Sequence, residues 1–100
     1  MLRDQVMTKL RGALSALRAE PGVAGLYLFG SVARGDDKPE SDVDVLVEFR
    51  TDADASMTTP ADIAIRLKDL LGRQVDVIEN HPGLRPHFRS RVEHDRLRVA

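Results

Sequence analysis

Residues 26–49 read LYLFGSVARGDDKPESDVDVLVEF, and this segment is the most informative part of the chain. An apolar run leads into Gly30 and Ser31, a charged segment follows, and a second apolar run begins with Asp42 and Asp44. Alternation and β-branched residues predict that the second run is a strand. Two carboxylates in such a strand repel each other and lose hydration, so a compensating group is expected beside them.

Helical spacing of apolar residues is found at both ends of the chain and between its predicted strands. Residues 2–17 predict an amphipathic helix. Residues 59–72 carry helix start and stop signals, from Thr59 as N-cap to Gly72 at the C-terminal end. The predicted core stripe of this helix consists of Ile63, Leu67, Leu70 and Leu71. Residues 84–94 predict a further helix, and Ser31 is placed to open a short one.

Three segments predict strands, namely residues 25–29, 42–49 and 74–79. The tail DRLRVA, residues 95–100, is ambiguous. Helices and strands alternate, so the predicted class is α/β. The expected architecture is a single domain over residues 1–100, with a small mixed sheet of about three strands covered by about four helices.

The composition of the chain argues against several classes of protein, among them nucleic-acid-binding, disulfide-bonded and membrane-spanning proteins. Apolar residues make up 42% and charged residues 31% of 100 residues, a balance typical of a globular domain. The formal net charge of −1 gives no basic field, so no direct binding of nucleic acid is expected. The absence of cysteine excludes disulfides and zinc–thiolate sites. There is no signal-peptide pattern and no apolar run of about 20 residues, so the predicted location is the cytoplasm, without a membrane span.

Three aspartates form a candidate metal site. Asp42 and Asp44 point to the same face of their strand, about 6.5–7 Å apart along the backbone. Asp76 has the same VDV context in the third strand, and it joins the pair if that strand is adjacent, at a spacing of about 4.8 Å. Such a cluster needs a cation, and carboxylate oxygens suit Mg²⁺. The alternative is that Asp42 and Asp44 are solvent-facing positions of a half-exposed strand.

Gly30, Ser31 and Arg34 form a candidate phosphate site. Glycine permits close backbone approach, and a serine hydroxyl with the free N–H groups of a helix start favours phosphate. Arg34 could contribute positive charge towards a polyphosphate, or it could pair with an acidic residue of the following turn. The candidates for that pair are Asp36, Asp37 and Glu40.

The segment GSVARGDDKPESDVDVLV, residues 30–47, resembles the signature of the DNA polymerase beta-like nucleotidyltransferases. More narrowly, it resembles their minimal, antitoxin-type branch, usually encoded beside a HEPN-domain partner. The resemblance implies that the Gly-Ser pair holds a nucleoside triphosphate and that the two aspartates of Asp-x-Asp bind metal ions. It also implies that a third-strand aspartate completes this catalytic site and can activate the acceptor. On this chain those roles fall to Gly30, Ser31, Asp42, Asp44 and Asp76.

The function implied by this resemblance is Mg²⁺-dependent transfer of AMP from ATP to a hydroxyl group. Two Mg²⁺ ions could bridge the attacking and leaving oxygens of the displacement. The implied acceptor is a tyrosine of a HEPN-type toxin, which the modification would silence, so the chain would act as an antitoxin. Two alternatives stay open: an antitoxin that neutralises by binding alone, and a small-molecule nucleotidyltransferase. A homodimer and a hetero-oligomer with the toxin are both compatible with the sequence.

Other polar patterns have simpler interpretations. Asp52 and Asp54 repeat Asp-x-Asp between small polar residues, which predicts a loop. His81, His87 and His94 are predicted to be surface or partner-facing residues, since no carboxylate accompanies them in a metal-binding pattern. The C-terminal arginines predict a solvated face, with a surface for an acidic partner as the alternative. They are Arg85, Arg89, Arg91, Arg96 and Arg98.

Overall fold

The computed structural model describes residues 2–19, 22–50, 59–80 and 83–99. Within these ranges helices and strands alternate as predicted. The elements are α1 (Leu2–Ala19), β1 (Val23–Phe29), α2 (Gly30–Arg34), β2 (Val43–Phe49), α3 (Pro60–Leu71), β3 (Val75–Glu79), α4 (Pro86–Asp95) and β4 (Leu97–Arg98).

The strands form one mixed sheet in the order β3-β2-β1-β4. β1 is antiparallel to both β2 and β4, whereas β2 and β3 are parallel. Parallel neighbours need a crossover connection, and α3 lies in that connection. The prediction of a small mixed α/β sheet is therefore confirmed, with one strand more than expected.

The additional strand, β4, comes from the tail that the sequence left ambiguous. Leu97 pairs with Leu28, and the N–H of Val99 donates to the carbonyl of Leu26 at 2.9 Å. Arg11 of α1 donates to the carbonyl of Val99 at 2.8 Å. A two-residue strand has too little local pattern to be predicted, because its hydrogen bonds come from distant parts of the chain.

One face of the sheet packs against the long helices. Val43, Val45 and Val47 have no exposed surface, and they pack with the apolar stripe of α1 and with α3. The prediction for Leu70 is wrong, since its side chain is 40% exposed. Leu70 lies in the last turn of α3, where Leu71 makes the contact with the core instead.

Helix α3 has the predicted ends. The Thr59 hydroxyl accepts the N–H of Asp62 at 3.3 Å, and the Asp62 carboxylate accepts the N–H of Thr59 at 2.9 Å. Gly72 ends the helix with a φ of 70°. This reciprocal capping box satisfies two backbone donors that helix geometry leaves unpaired, which is why the sequence signal was reliable.

The other face of the sheet is covered by α4. Phe29, Leu46 and Val92 are buried together, and the ring of Phe88 packs edge-on against Phe29 at 6.2 Å between centroids. Side chains alternate along a strand, so Asp44 and Leu46 share this face. No helix in the described part of the chain is long and apolar enough to cross a membrane.

Candidate functional site

A cleft of about 610 Å³ opens where α2 and α4 meet the ends of β1, β2 and β3. Its size lies within the range of small-molecule sites in proteins. Its apolar wall comes from the cluster beneath α4, and its polar wall contains all but one of the predicted site residues. Those that line the cleft are Gly30, Ser31, Arg34, Asp44 and Asp76.

Asp44 and Asp76 are brought together by the parallel pairing of β2 with β3. The two residues are direct register partners, so their side chains leave the same face of the sheet on adjacent strands. Asp44 is half-buried and Asp76 is exposed. Partial burial and, to a smaller extent, the charges of Asp76 and Asp42 together raise the pKa of Asp44 to about 6, and the charge of Arg34 opposes this rise. The site therefore disfavours the charged form of Asp44.

Asp42 lies beside the cleft and does not line it. The prediction that it begins the strand is wrong by one residue, because β2 begins at Val43. Asp42 is exposed, and it acts on Asp44 through its charge.

Arg73 fixes the turn that leads to these aspartates. Its guanidinium donates to the carbonyl of Ser41 at 3.0 Å and to that of Pro39 at 3.2 Å. Sequence reasoning did not single out Arg73, because its acceptors are backbone carbonyls, which leave no trace in a sequence pattern.

Gly30 allows the Asp44 carboxylate to lie against the backbone. Gly30 has a φ of 76°, and a Cβ atom added there would overlap the Asp44 carboxylate. Glycine is the residue that combines this conformation with so close an approach. The short helix α2 begins at Gly30 rather than at Ser31, and Ser31 is half-buried at the cleft wall.

Arg34 spans the cleft wall through two ion pairs. It contacts Asp36 at 3.1 Å, which is one of the partners that the sequence suggested, and Asp95 of α4 at 2.6 Å. The side chain of Asp95 is 14% exposed and also lines the cleft. Asp95 was missed because 61 positions separate it from Arg34, and the packing of α4 alone brings them together.

The donor chemistry of the cleft fits a magnesium ion. Asp44 and Asp76 offer carboxylate oxygens from adjacent strands, and Asp42 adds negative charge beside them. Among the described residues, no three acidic or histidine side chains form a metal-binding group. These residues would therefore leave several positions of an octahedral ion to water and phosphate oxygens, which is how Mg²⁺ is usually held at phosphate sites.

Two of the three predicted surface histidines, His87 and His94, do not line this cleft. His87 and His94 are exposed on α4 and line a second cavity of about 390 Å³ with Ser90, Arg91 and Asp95. Asp52, Asp54 and His81 fall outside the described residues.

Comparison with known proteins identifies one family. The family description "Nucleotidyltransferase domain" matches residues 7–99. A relative from Methanocaldococcus jannaschii named "Putative protein adenylyltransferase MJ1379" is 32% identical over 96 residues, covering 96% of each chain.

Two solved structures share the fold. One, described as the structure of a "putative minimal nucleotidyltransferase", matches with a TM-score of 0.70 and 32% identity, covering 93% of this chain and 92% of that chain. The other belongs to a tri-AMPylated Shewanella oneidensis HEPN toxin in complex with MNT antitoxin. It matches with a TM-score of 0.66, covering 98% of this chain and 71% of that chain. Its identity of 18% shows likeness of fold alone.

Replacing Gly30 by alanine tests the close approach of Asp44. We expect Gly30→Ala to lower the free energy of unfolding by about 1–2 kcal/mol from the backbone conformation, with an added cost from the displaced carboxylate. Gly12→Ala is the matched control, since a Cβ there meets nothing within 4 Å and should raise helix stability by roughly 0.5–1 kcal/mol. Urea unfolding measures both changes, and equal effects would contradict the assigned geometry.

The raised pKa of Asp44 predicts a pH dependence of stability. The folded chain keeps a proton on Asp44 up to about pH 6, whereas the unfolded chain loses it near the ordinary value of 3.8. Stability should therefore fall as pH rises through that window and stay lower above it. The free energy of unfolding is measured with urea, without metal, at pH 4 and at pH 7.5. Asp44→Asn should remove the part of the difference between the two values that comes from Asp44. Asp69→Asn, on the exposed part of α3, is the control, and an identical pH response in both variants would refute the assignment.

Proposed function

The chain belongs to the nucleotidyltransferase domain family, and on that premise we propose that it transfers AMP from ATP to a hydroxyl group of a protein partner. The observation that carries this proposal is the in-register pair of Asp44 and Asp76, which lines one cleft together with Gly30 and Ser31, with the Asp44 carboxylate against the Gly30 backbone. A cation-binding wall and a phosphate-binding wall thus meet at the same place. The name of the archaeal relative supports adenylyl transfer to protein.

The cleft residues form two groups in the proposed reaction, one for the metal ion and one for the phosphates. Asp44 and Asp76 would hold Mg²⁺, with Asp42 adding charge from the edge of the cleft. When bound, Mg²⁺ would neutralise the triphosphate and the charge that develops during displacement. Gly30 lets phosphate oxygens approach the backbone, the Ser31 hydroxyl donates a hydrogen bond to them, and the charge of Arg34 lies at the same wall.

The proposed displacement is in line at the α-phosphorus. The acceptor oxygen forms a bond to that phosphorus as the bond to the bridging oxygen of the β-phosphate breaks, and pyrophosphate leaves. The proton of the acceptor hydroxyl passes to a base, and Asp76 is the proposed base because it is the exposed carboxylate of the pair. Positioning and charge neutralisation supply most of the rate enhancement in such transfers.

We further propose that the acceptor is a tyrosine of a HEPN-type toxin and that this chain acts as its antitoxin in the cytoplasm. The likeness of fold to the antitoxin of the Shewanella complex supports this partner class.

One observation favours a second function, which is neutralisation by binding without catalysis. Asp42 lies outside the cleft, and the described residues form no three-residue metal-binding group. A chain of this kind would keep the nucleotidyltransferase fold and silence its partner by covering it.

Binding of nucleotide and metal can be measured without any partner. At 100 times its dissociation constant, Mg²⁺-ATP should raise the free energy of unfolding by about 2.7 kcal/mol. Asp44→Asn should abolish that gain, and Asp69→Asn should retain it. An unchanged melting temperature of the native chain across Mg²⁺, Mn²⁺ and ATP would count against the site.

Transfer itself is tested by intact mass spectrometry of the protein encoded by the adjacent gene. That protein is co-expressed with the native chain or with Asp44→Asn. We expect a mass increase of one or more adenosine monophosphates with the native chain only, because Asp44 holds the metal. An unmodified neighbour that still binds and is still silenced would support neutralisation by binding.

A further inference from the structure

Arg91 differs from Arg89 and Arg96, whose guanidinium groups have partners within the protein. Arg89 donates to the side-chain oxygen of Asn80 at 2.9 Å, and the Arg96 guanidinium lies 4.8 Å from the centre of the Tyr27 ring. Arg91 is exposed, and within residues 2–19, 22–50, 59–80 and 83–99 its guanidinium makes no hydrogen bond or ion pair. A cation without a partner at the wall of a cleft is available to a ligand.

Arg91 lies at the boundary between two adjoining cavities. It lines the main cleft, and it also lines the second cavity, of about 390 Å³, together with His87, Ser90 and His94. These four residues occur at spacings of three, four and seven, so they share one face of α4. Their side chains present a guanidinium, a hydroxyl and two imidazoles, all of which can donate hydrogen bonds to an anion.

Asp95 is the single carboxylate among the residues that line the second cavity, and its charge is already compensated. Arg34 contacts it at 2.6 Å, and Arg34 lines the main cleft but not the second cavity. The positive charge of Arg91 is therefore not cancelled by Asp95.

We propose that Arg91, with His87, Ser90 and His94, forms an anion-binding subsite that holds a carboxylate or phosphate group of the acceptor protein beside its reacting hydroxyl. Anion binding by this subsite is independent of catalysis, whereas the assignment to the acceptor rests on the proposed function. Asp44 and Asp76 would repel an anionic acceptor segment, and Arg91, which lines the same cleft, supplies a compensating charge. Bidentate contact with a carboxylate or phosphate suits the guanidinium of an arginine.

The test uses inorganic phosphate as the probe and the imidazole signals of His87 and His94 in nuclear magnetic resonance spectra of the full chain. We expect saturable shifts of both signals in the native protein. Loss of a charge-assisted contact should weaken phosphate binding about tenfold or more in Arg91→Gln. Arg85→Gln is the matched control, since this exposed arginine at the start of α4 lines neither cavity. Absent shifts, or equal affinity in Arg91→Gln and native chain, would overturn the subsite.

A second arm identifies the source of the anion. With the main cleft saturated by Mg²⁺ and a non-hydrolysable ATP analogue, phosphate should still shift both histidine signals. If the analogue itself moves them and abolishes the phosphate response, the subsite holds the nucleotide's own phosphates and the acceptor assignment is wrong. Repeating the titration with acetate compares a carboxylate with a phosphate group.

A third arm separates this proposal from the proposed function. Asp44→Asn should lose nucleotide binding and retain phosphate binding at Arg91. Loss of both in Asp44→Asn would show that the two cavities are one site and would overturn the separate subsite.

Discussion

The parallel pairing of β2 with β3 is the contact through which this fold creates its site. It sets Asp44 directly beside Asp76, on the face of the sheet that α4 covers. The opposite face anchors the pairing, since Val43 and Val45 are completely buried between the aspartates and the long helices. Burial of each such side chain contributes about 1.5–3 kcal/mol, so the core can hold two carboxylates in an arrangement that they would not adopt alone.

Negative charge around Asp44 and Asp76 is not fully compensated by nearby positive charge. Burial and two acidic neighbours raise the pKa of Asp44, and the nearby Arg34 is shared between Asp36 and Asp95. An incoming cation would relieve repulsion that the protein cannot relieve by itself. In the proposed function, the same residues that lower the stability of the free chain would bind the metal–nucleotide complex, which is a common compromise at functional sites.

Residues of helix α4 line both cavities, so this helix links the main cleft to the second cavity. Its apolar side, with Val92, covers the sheet, and its outer face carries Arg91 beside the second cavity. A nucleotidyltransferase must bring two anionic or polar molecules together above its own carboxylates. In our proposals, Arg91 would hold the acceptor and the Gly30 backbone would hold the nucleotide, so the two tasks fall to distant parts of the chain.

Much of the fold and most of the candidate site could be predicted from the sequence, because the sequence signals for them are local. Alternation marked β2, the cap marked α3, and the spacing from Gly30 to Asp44 marked the family. The sequence did not predict the strand β4, the exposure of Leu70 or the Arg34–Asp95 pair. Each arises where segments distant in the chain pack together, and hydrogen bonds to backbone or contacts across 61 positions leave no periodic trace. The sequence by itself thus determined the family and the candidate site residues, whereas only the tertiary structure decided which charged groups surround them.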